Sequence, residues 1–136
     1  MKAIIDSNVL ISALVFDNNE LKVILELIDR KCELIISDHI REEVVRVLLA
    51  KFPKYSKLFI EFIQVSGIEV IGKKKYSEFI DKYTVVRDKH DRHILACAVE
   101  EKCDVIISGD QDLLVLKEIQ NIKILKAKDI IQNKGK

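Results

Sequence analysis

Four acidic residues carry the chemistry this sequence offers. Asp6 follows Ala3-Ile4-Ile5 and precedes the apolar run Val9-Leu10-Ile11-Ser12-Ala13-Leu14. Asp110 follows Val105-Ile106-Ile107-Ser108-Gly109 and precedes Asp112-Leu113-Leu114. A short β-branched strand, a break, an acid and a helix start is how an α/β fold presents a carboxylate at the carboxyl end of a parallel strand. Two strands that each end in an Asp point to one shared site.

Glu43 and Asp91 are placed by helical phase. In the helix expected over residues 39–51, Ile40, Val44, Val47 and Leu48 form the inward stripe. At about 100° per residue, Glu43 lies roughly 60° from Ile40, at the edge of that stripe, while Glu42 points nearly the other way. In the helix expected over residues 88–102, the buried face is Ile94, Leu95, Ala98 and Val99. Asp91 projects onto it, where an unpaired carboxylate is costly. His93 is expected in solvent. Each acid also has a plainer reading: an N-cap for Asp6 and Asp110, a first-turn residue for Asp91, and a rim residue that snorkels out for Glu43. Ser7 or Asn8 can cap in place of Asp6, Asp112 in place of Asp110, and Asp88 in place of Asp91.

Converging carboxylates repel and take up protons unless a cation neutralises them. Oxygen ligands favour Mg²⁺ or Mn²⁺ over zinc, and such an ion suits phosphodiester hydrolysis. The sequence shows no rival nucleophile constellation, no Gly-rich phosphate loop and no Cys/His cluster.

The elements that must position these acids alternate strand and helix. Strands are expected at residues 3–5, 33–36, 68–71, 104–107 and 123–125. Helices are expected over residues 9–15, 20–31, 39–51, 54–65, 76–83, 88–102, 112–119 and 127–133, with a capping turn at Asp17-Asn18-Asn19. This predicts an α/β fold with a parallel sheet covered on both faces and right-handed crossovers. The 136 residues suffice for a single domain, residues 1–136. A hydrophobic fraction of 49% and a charged fraction of 33% are those of a soluble globular protein. No apolar run approaches the roughly 20 residues of a membrane helix. The opening residues do not read as a signal peptide, so a cytoplasmic location is expected. Cys32, Cys97 and Cys103 are odd in number and lack a C-x-x-C pair, so they read as small buried thiols. With a net charge of +1, a nucleic-acid partner must be met by a local patch. In the helix over residues 54–65, Leu58, Phe59, Phe62 and Ile63 are expected inward. Leu49 falls opposite the inward stripe of its own helix, which raises a groove or self-association surface as one reading and mutual burial of the two helices as the other.

The whole chain, in order, resembles the PIN domain, in the single-domain VapC-like form known as the toxin of toxin–antitoxin pairs. Ile4-Ile5-Asp6-Ser7-Asn8-Val9-Leu10-Ile11-Ser12 is similar to the opening motif, with Asp6 the first acid. Ile36-Ser37-Asp38-His39-Ile40-Arg41-Glu42-Glu43-Val44 resembles the segment of the second, Glu43. Arg87-Asp88-Lys89-His90-Asp91-Arg92-His93-Ile94-Leu95-Ala96-Cys97-Ala98 resembles that of the third, Asp91. Ile107-Ser108-Gly109-Asp110-Gln111-Asp112-Leu113-Leu114 resembles the fourth motif, with Asp110 the main acid and Asp112 accessory. Ser108 and Ser7 stand where Thr is common.

The resemblance implies a three-layer α/β/α sandwich with strand order 3-2-1-4-5, and a Mg²⁺- or Mn²⁺-dependent ribonuclease acting on single-stranded RNA. Asp6, Asp91, Asp110, Glu43 and Asp112 would be metal ligands, and Ser7, Asn8 and Ser108 would orient substrate. Lys73, Lys74, Lys75, Lys89 and Arg92 are candidate RNA contacts. A homodimer and an antitoxin partner are implied as well. Two rivals remain. A haloacid-dehalogenase-like phosphatase needs an acid at position 8, where this chain has Asn8. A non-catalytic PIN-like binding module would typically lack one of the four acids.

Overall fold

Isoleucine and valine fill the short strands of this protein, and the sheet they form is buried from both sides. The computed structural model describes residues 1–16 and 19–133. The turn expected at Asp17-Asn18 lies outside them. Strand β1 (Lys2–Ile5) leads into helices α1 (Ser7–Val15) and α2 (Asn19–Asp29), then β2 (Glu33–Ser37) and α3 (Asp38–Lys51). A 3₁₀ turn at Pro53–Tyr55, α4 (Ser56–Ser66) and β3 (Glu69–Ile71) follow, then 3₁₀ turns at Lys73–Lys75, Ser77–Lys82 and Lys89–Asp91. The chain ends with α5 (Arg92–Glu100), β4 (Val105–Ile107), α6 (Gln111–Leu114), β5 (Glu118–Ile119), β6 (Ile122–Leu125) and α7 (Ala127–Asn133).

The sheet order is β3-β2-β1-β4-β6-β5. All pairings are parallel except the β5–β6 hairpin. This is the expected order 3-2-1-4-5, with β6 as its fifth strand and one short antiparallel strand added at the edge. Right-handed crossovers place α1–α4 on one face and α5 on the other, which makes the β1–β4 junction the switch point where α/β folds open a cleft. Ala3, Ile4 and Ile5 of β1 have no exposed surface, as the central strand of such a sandwich requires.

Several expected helices are shorter than the sequence suggests. The Asp88 side chain accepts from His90 N at 2.9 Å and caps a tight 3₁₀ turn, so α5 begins only at Arg92. Asp91 therefore stands at the head of α5 rather than inside a longer helix. Positive φ at Lys117 (62°) stops the chain after α6, and Gln120 (47°) and Asn121 (67°) form the two-residue hairpin loop between β5 and β6. Where a helix is expected over residues 76–83, the chain forms the 3₁₀ turn Ser77–Lys82. In α4, Phe59 is buried but Leu58 is 44% exposed, against expectation.

Candidate active site

β1 and β4 end side by side. Ile5 pairs with Ile107, and the next amide, Asp6 N, donates to Ile107 O at 2.9 Å. The residues just past each strand, Asp6 and Ser108, thus meet at the carboxyl edge of the sheet.

Asp6 is 7% exposed and fully engaged. Its Oδ1 accepts from Ser7 N at 2.8 Å, capping α1, and its Oδ2 accepts from Ser108 Oγ at 2.7 Å. Ser7 Oγ donates to Glu43 Oε1 at 2.8 Å, bringing α3 to the same point. Ser108 Oγ accepts from Asp110 N at 3.0 Å, and Asp110 Oδ1 accepts from Asp112 N at 2.9 Å. The Asp91 carboxyl lies against that of Asp110. A continuous run of polar contacts therefore links Glu43, Ser7, Asp6, Ser108, Asp110 and Asp91.

The electrostatics follow from this crowding. Burial first, then the hydrogen bond to Asp110 and the charges of Asp110, Asp6 and Asp88, push the Asp91 carboxyl up to about 8. Burial also raises Asp6, helped by the charges of Glu43 and Asp110 and opposed by the bonds from Ser108 and Ser7. Without a cation the Asp91 carboxyl holds its proton more tightly than a free carboxyl does. A donor set made only of carboxylate oxygens fits a hard divalent ion.

The four acids come together, and Glu43 lies on the site side of α3 while Glu42 is exposed and binds Lys73 Nζ at 2.8 Å. Asp6 and Asp110 also serve as N-caps, the plainer reading open to each, and the alternatives Ser7, Asn8 and Asp112 do not take that role. An Asp at the strand end accepts the helix amides and still turns its second oxygen to the site. Ser7 and Ser108 are buried, and their hydroxyls hold carboxylates; Asn8 is exposed. Asp112 takes Arg87 on both oxygens, Nε to Oδ1 at 2.9 Å and a terminal nitrogen to Oδ2 at 3.1 Å.

Among the candidate RNA contacts, Lys73 is held by Glu42, Lys75 Nζ lies 3.9 Å from Glu101, and Lys74 and Lys89 are exposed. Arg92 Nε donates to the Val86 carbonyl at 3.0 Å.

Two features went unread in the sequence. Asp88, Asp91 and Asp112 offer carboxylate oxygens within 4.8 Å of one another, a grouping signalled only by the i, i+3 spacing of Asp88 and Asp91. His93 is not in solvent: its ring stacks on His39 (centroids 4.9 Å, planes 16° apart), and burial lowers it to about 4. His39 Nδ1 in turn meets Tyr76 Oη at 2.6 Å. No local signal in residues 39, 76 and 93 announces this cluster, because three separate elements build it.

Comparison with known proteins places the fold and the family. No curated protein matches the chain. Among solved structures, the fold is similar to VapBC2 from Rickettsia felis, solved bound to a DNA fragment from its promoter, with a TM-score of 0.66 at 17% identity, covering 91% of this chain and 97% of that one. It is also similar to Mycobacterium tuberculosis VapC20, described as a sarcin-ricin loop cleaving toxin, with a TM-score of 0.65 at 10% identity, covering 89% of this chain and 98% of that one. The sequence profile of the PIN domain matches residues 2–112, a span that holds all four acids, and on that match the chain belongs to the PIN domain family.

Proposed function

We propose that this protein is a Mg²⁺- or Mn²⁺-dependent endoribonuclease that cuts single-stranded RNA, and that it is the toxin of a toxin–antitoxin pair in the cytoplasm. The observation that carries the reading is geometric: Asp6, Glu43, Asp91 and Asp110 converge at the switch point of the sheet, tied together through Ser7 and Ser108. Carboxylates crowded in this way cost stability through their neighbours' charge, and such costly clusters concentrate at functional sites.

Asp6, Asp91 and Asp110 would hold the ion, with Glu43 beside them. The bound ion would supply Lewis-acid polarisation of the phosphoryl oxygen and a lowered pKa for water at the site. The chain's own residues do the rest. Ser7 and Ser108 fix the Asp6 carboxylate from both sides, so its orientation is set before substrate arrives. Ser7 holds Glu43 by Oε1, leaving Oε2 to take a proton from the attacking water. Lys74, Lys89 and Arg92 lie on the loop after β3 or beside Asp91, where they would meet RNA phosphates, whereas Lys73 is paired with Glu42 and Lys75 turns to Glu101, which also takes Lys2 at the start of β1.

An antitoxin and a second copy of the chain are the expected protein partners. VapC20, similar in fold, is described as a toxin that cleaves the sarcin-ricin loop, which supports the toxin reading. The apolar surface available to a partner includes Leu49, Leu58, Ile60 and Val65 of α3 and α4, all exposed. No helix among the described residues is long and apolar enough to cross a membrane.

The test is incubation of the purified protein with a generic single-stranded RNA in EDTA, Mg²⁺ and Mn²⁺. Cleavage is expected only with an ion and is lost in Asp110→Asn. Intact RNA under every condition would refute the nuclease.

A further inference from the structure

A second charged feature borders the four acids and shares Asp88 with the Asp88, Asp91 and Asp112 grouping. A cleft of about 400 Å³ is lined by Arg87, Asp88, Lys89, His90 and Arg92, directly beside Asp91. Four of these five side chains are basic or become so on protonation. The loop that carries them is anchored from below: Tyr83 and Val86 are buried, and Val86 N donates to Tyr83 O at 3.1 Å.

Arg92 is held through Nε alone, and Arg87 through Nε and one terminal nitrogen. Arg92 Nε is bound to the Val86 carbonyl at 3.0 Å, which leaves its two terminal nitrogens for another acceptor. Arg87 is gripped by Asp112 in the two-bond geometry described above, yet its side chain is 85% exposed while that of Asp112 is 21% exposed. A bidentate carboxylate fixes the plane of a guanidinium, and an exposed guanidinium fixed in plane is the group that best matches a phosphate. The other cations of this edge are less suited: Lys73 is spent on Glu42 and Lys75 faces Glu101.

We propose that this cleft binds a backbone phosphate of the RNA strand flanking the cut, with Arg87 as its principal contact, and that Asp112 positions Arg87 instead of holding the metal ion. The proposal rests on the ribonuclease reading for the identity of its ligand. It gives Asp112 a purpose that its engagement with Arg87 already shows, and it puts the strand on the α5 side of the acids.

Binding, not cleavage, provides the test, so the two readings fail separately. Anisotropy of a labelled single-stranded octaribonucleotide is followed in the Asp110→Asn background with Mn²⁺ over a series of salt concentrations. Each phosphate contact on a single strand contributes about 0.7 to the slope of log K against log salt. Arg87→Gln is expected to reduce the slope by about that amount and to weaken binding several-fold. Asp112→Asn should weaken binding in the same direction, and the double variant should be no worse than Arg87→Gln alone, since the two act as one unit. Both single variants, made in the wild-type background, should keep the Mn²⁺-induced rise in melting temperature. Lys31→Gln, at the amino edge of the sheet ahead of β2, should change nothing. An unaltered slope in Arg87→Gln, no RNA binding at all, or loss of the Mn²⁺ shift in Asp112→Asn would overturn the proposal. Failure of the wild type to cleave RNA would refute the nuclease while leaving these binding results to stand on their own.

Discussion

Ser108 Oγ sits 2.7 Å from Asp6 Oδ2, across 102 residues of sequence, and the same oxygen accepts the Asp110 amide at 3.0 Å. One buried hydroxyl thus joins the acid after β1 to the acid after β4. Ser108→Ala leaves Asp6 short of a donor and the Asp110 amide short of an acceptor. The expected result is a stability loss of about 1–2 kcal/mol. Losing a partner that orients a ligand should also weaken Mn²⁺ binding by about tenfold or more. Urea unfolding and a metal titration measure the two. Unchanged metal affinity would show that Asp6 keeps its place without Ser108.

Asp110 has two jobs that a pair of substitutions separates. Its side chain caps α6 and its charge belongs to the acid cluster. Asparagine caps about as well as aspartate, so Asp110→Asn should abolish cleavage while leaving the metal-free protein as stable as wild type or more so. Asp110→Ala should lose cleavage and about 1 kcal/mol besides. If Asp110→Asn unfolds as readily as Asp110→Ala, the carboxylate charge is structural.

Asp91 gives the site a pH signature. Its folded-state carboxyl titrates near about 8, against about 3.9 in an unfolded chain. The folded protein thus holds this proton more tightly. The stability it confers is complete below about pH 4 and is lost as pH rises through about 8. Without metal, wild type should lose stability relative to Asp91→Asn across that window. Mn²⁺ should flatten or reverse the trend, because it binds the deprotonated acids and adds RT ln(1 + [L]/Kd) to folding. Thermal melts at several pH values, with EDTA or Mn²⁺, read both effects. An identical Mn²⁺ shift in Asp6→Asn would mean that the ion binds elsewhere.

What the sequence disclosed, and what it hid, divides along one physical line. Strands β1 and β4, their terminal acids and the inward edge of α3 are written in local patterns: β-branched runs, a break, an apolar stripe at helical spacing. Glu43 was separable from Glu42 on phase alone, and the structure bonds Glu43 to Ser7 and Glu42 to Lys73. The break between the Lys89–Asp91 turn and α5 was hidden because an Asp88 cap inside a helical pattern looks like any first-turn acid. The β5–β6 hairpin was hidden because Leu116 to Asn121 has no glycine to mark its loop. His93 was misplaced because its burial comes from His39 on another helix, and stacking between distant residues leaves no periodic trace.

The phase of α3 also gives a kinetic test. Glu43→Gln keeps the shape of the side chain and its bond to Ser7 but removes the charge beside Asp6. The metal-dependent rate should fall at least about tenfold. Glu42→Gln breaks only an exposed pair with Lys73 and should leave the rate near wild type. Single-turnover cleavage of one RNA by both variants decides it. A greater loss in Glu42→Gln would show that the solvent side of α3, not the acid cluster, governs the reaction.

Assembly is the last expectation, and it turns on Leu49. The side chain is 59% exposed on α3, near α4, where Leu58 (44%), Ile60 (51%) and Val65 (82%) are also exposed. The alternative, that the two helices bury all of this surface against each other, is therefore met only by residues such as Phe59. At about 100° per residue Leu58 and Val65 share one flank of α4 and Ile60 lies on the other, so a second copy, or an amphipathic helix from an antitoxin, would cover Leu49 together with one flank of α4. Light scattering at increasing protein concentration should show a dimer, and Leu49→Glu should shift it to monomer with no loss of melting temperature beyond the concentration-dependent part. A protein that stays monomeric at high micromolar concentration, and is unaffected by Leu49→Glu, would leave this surface without a homodimeric role.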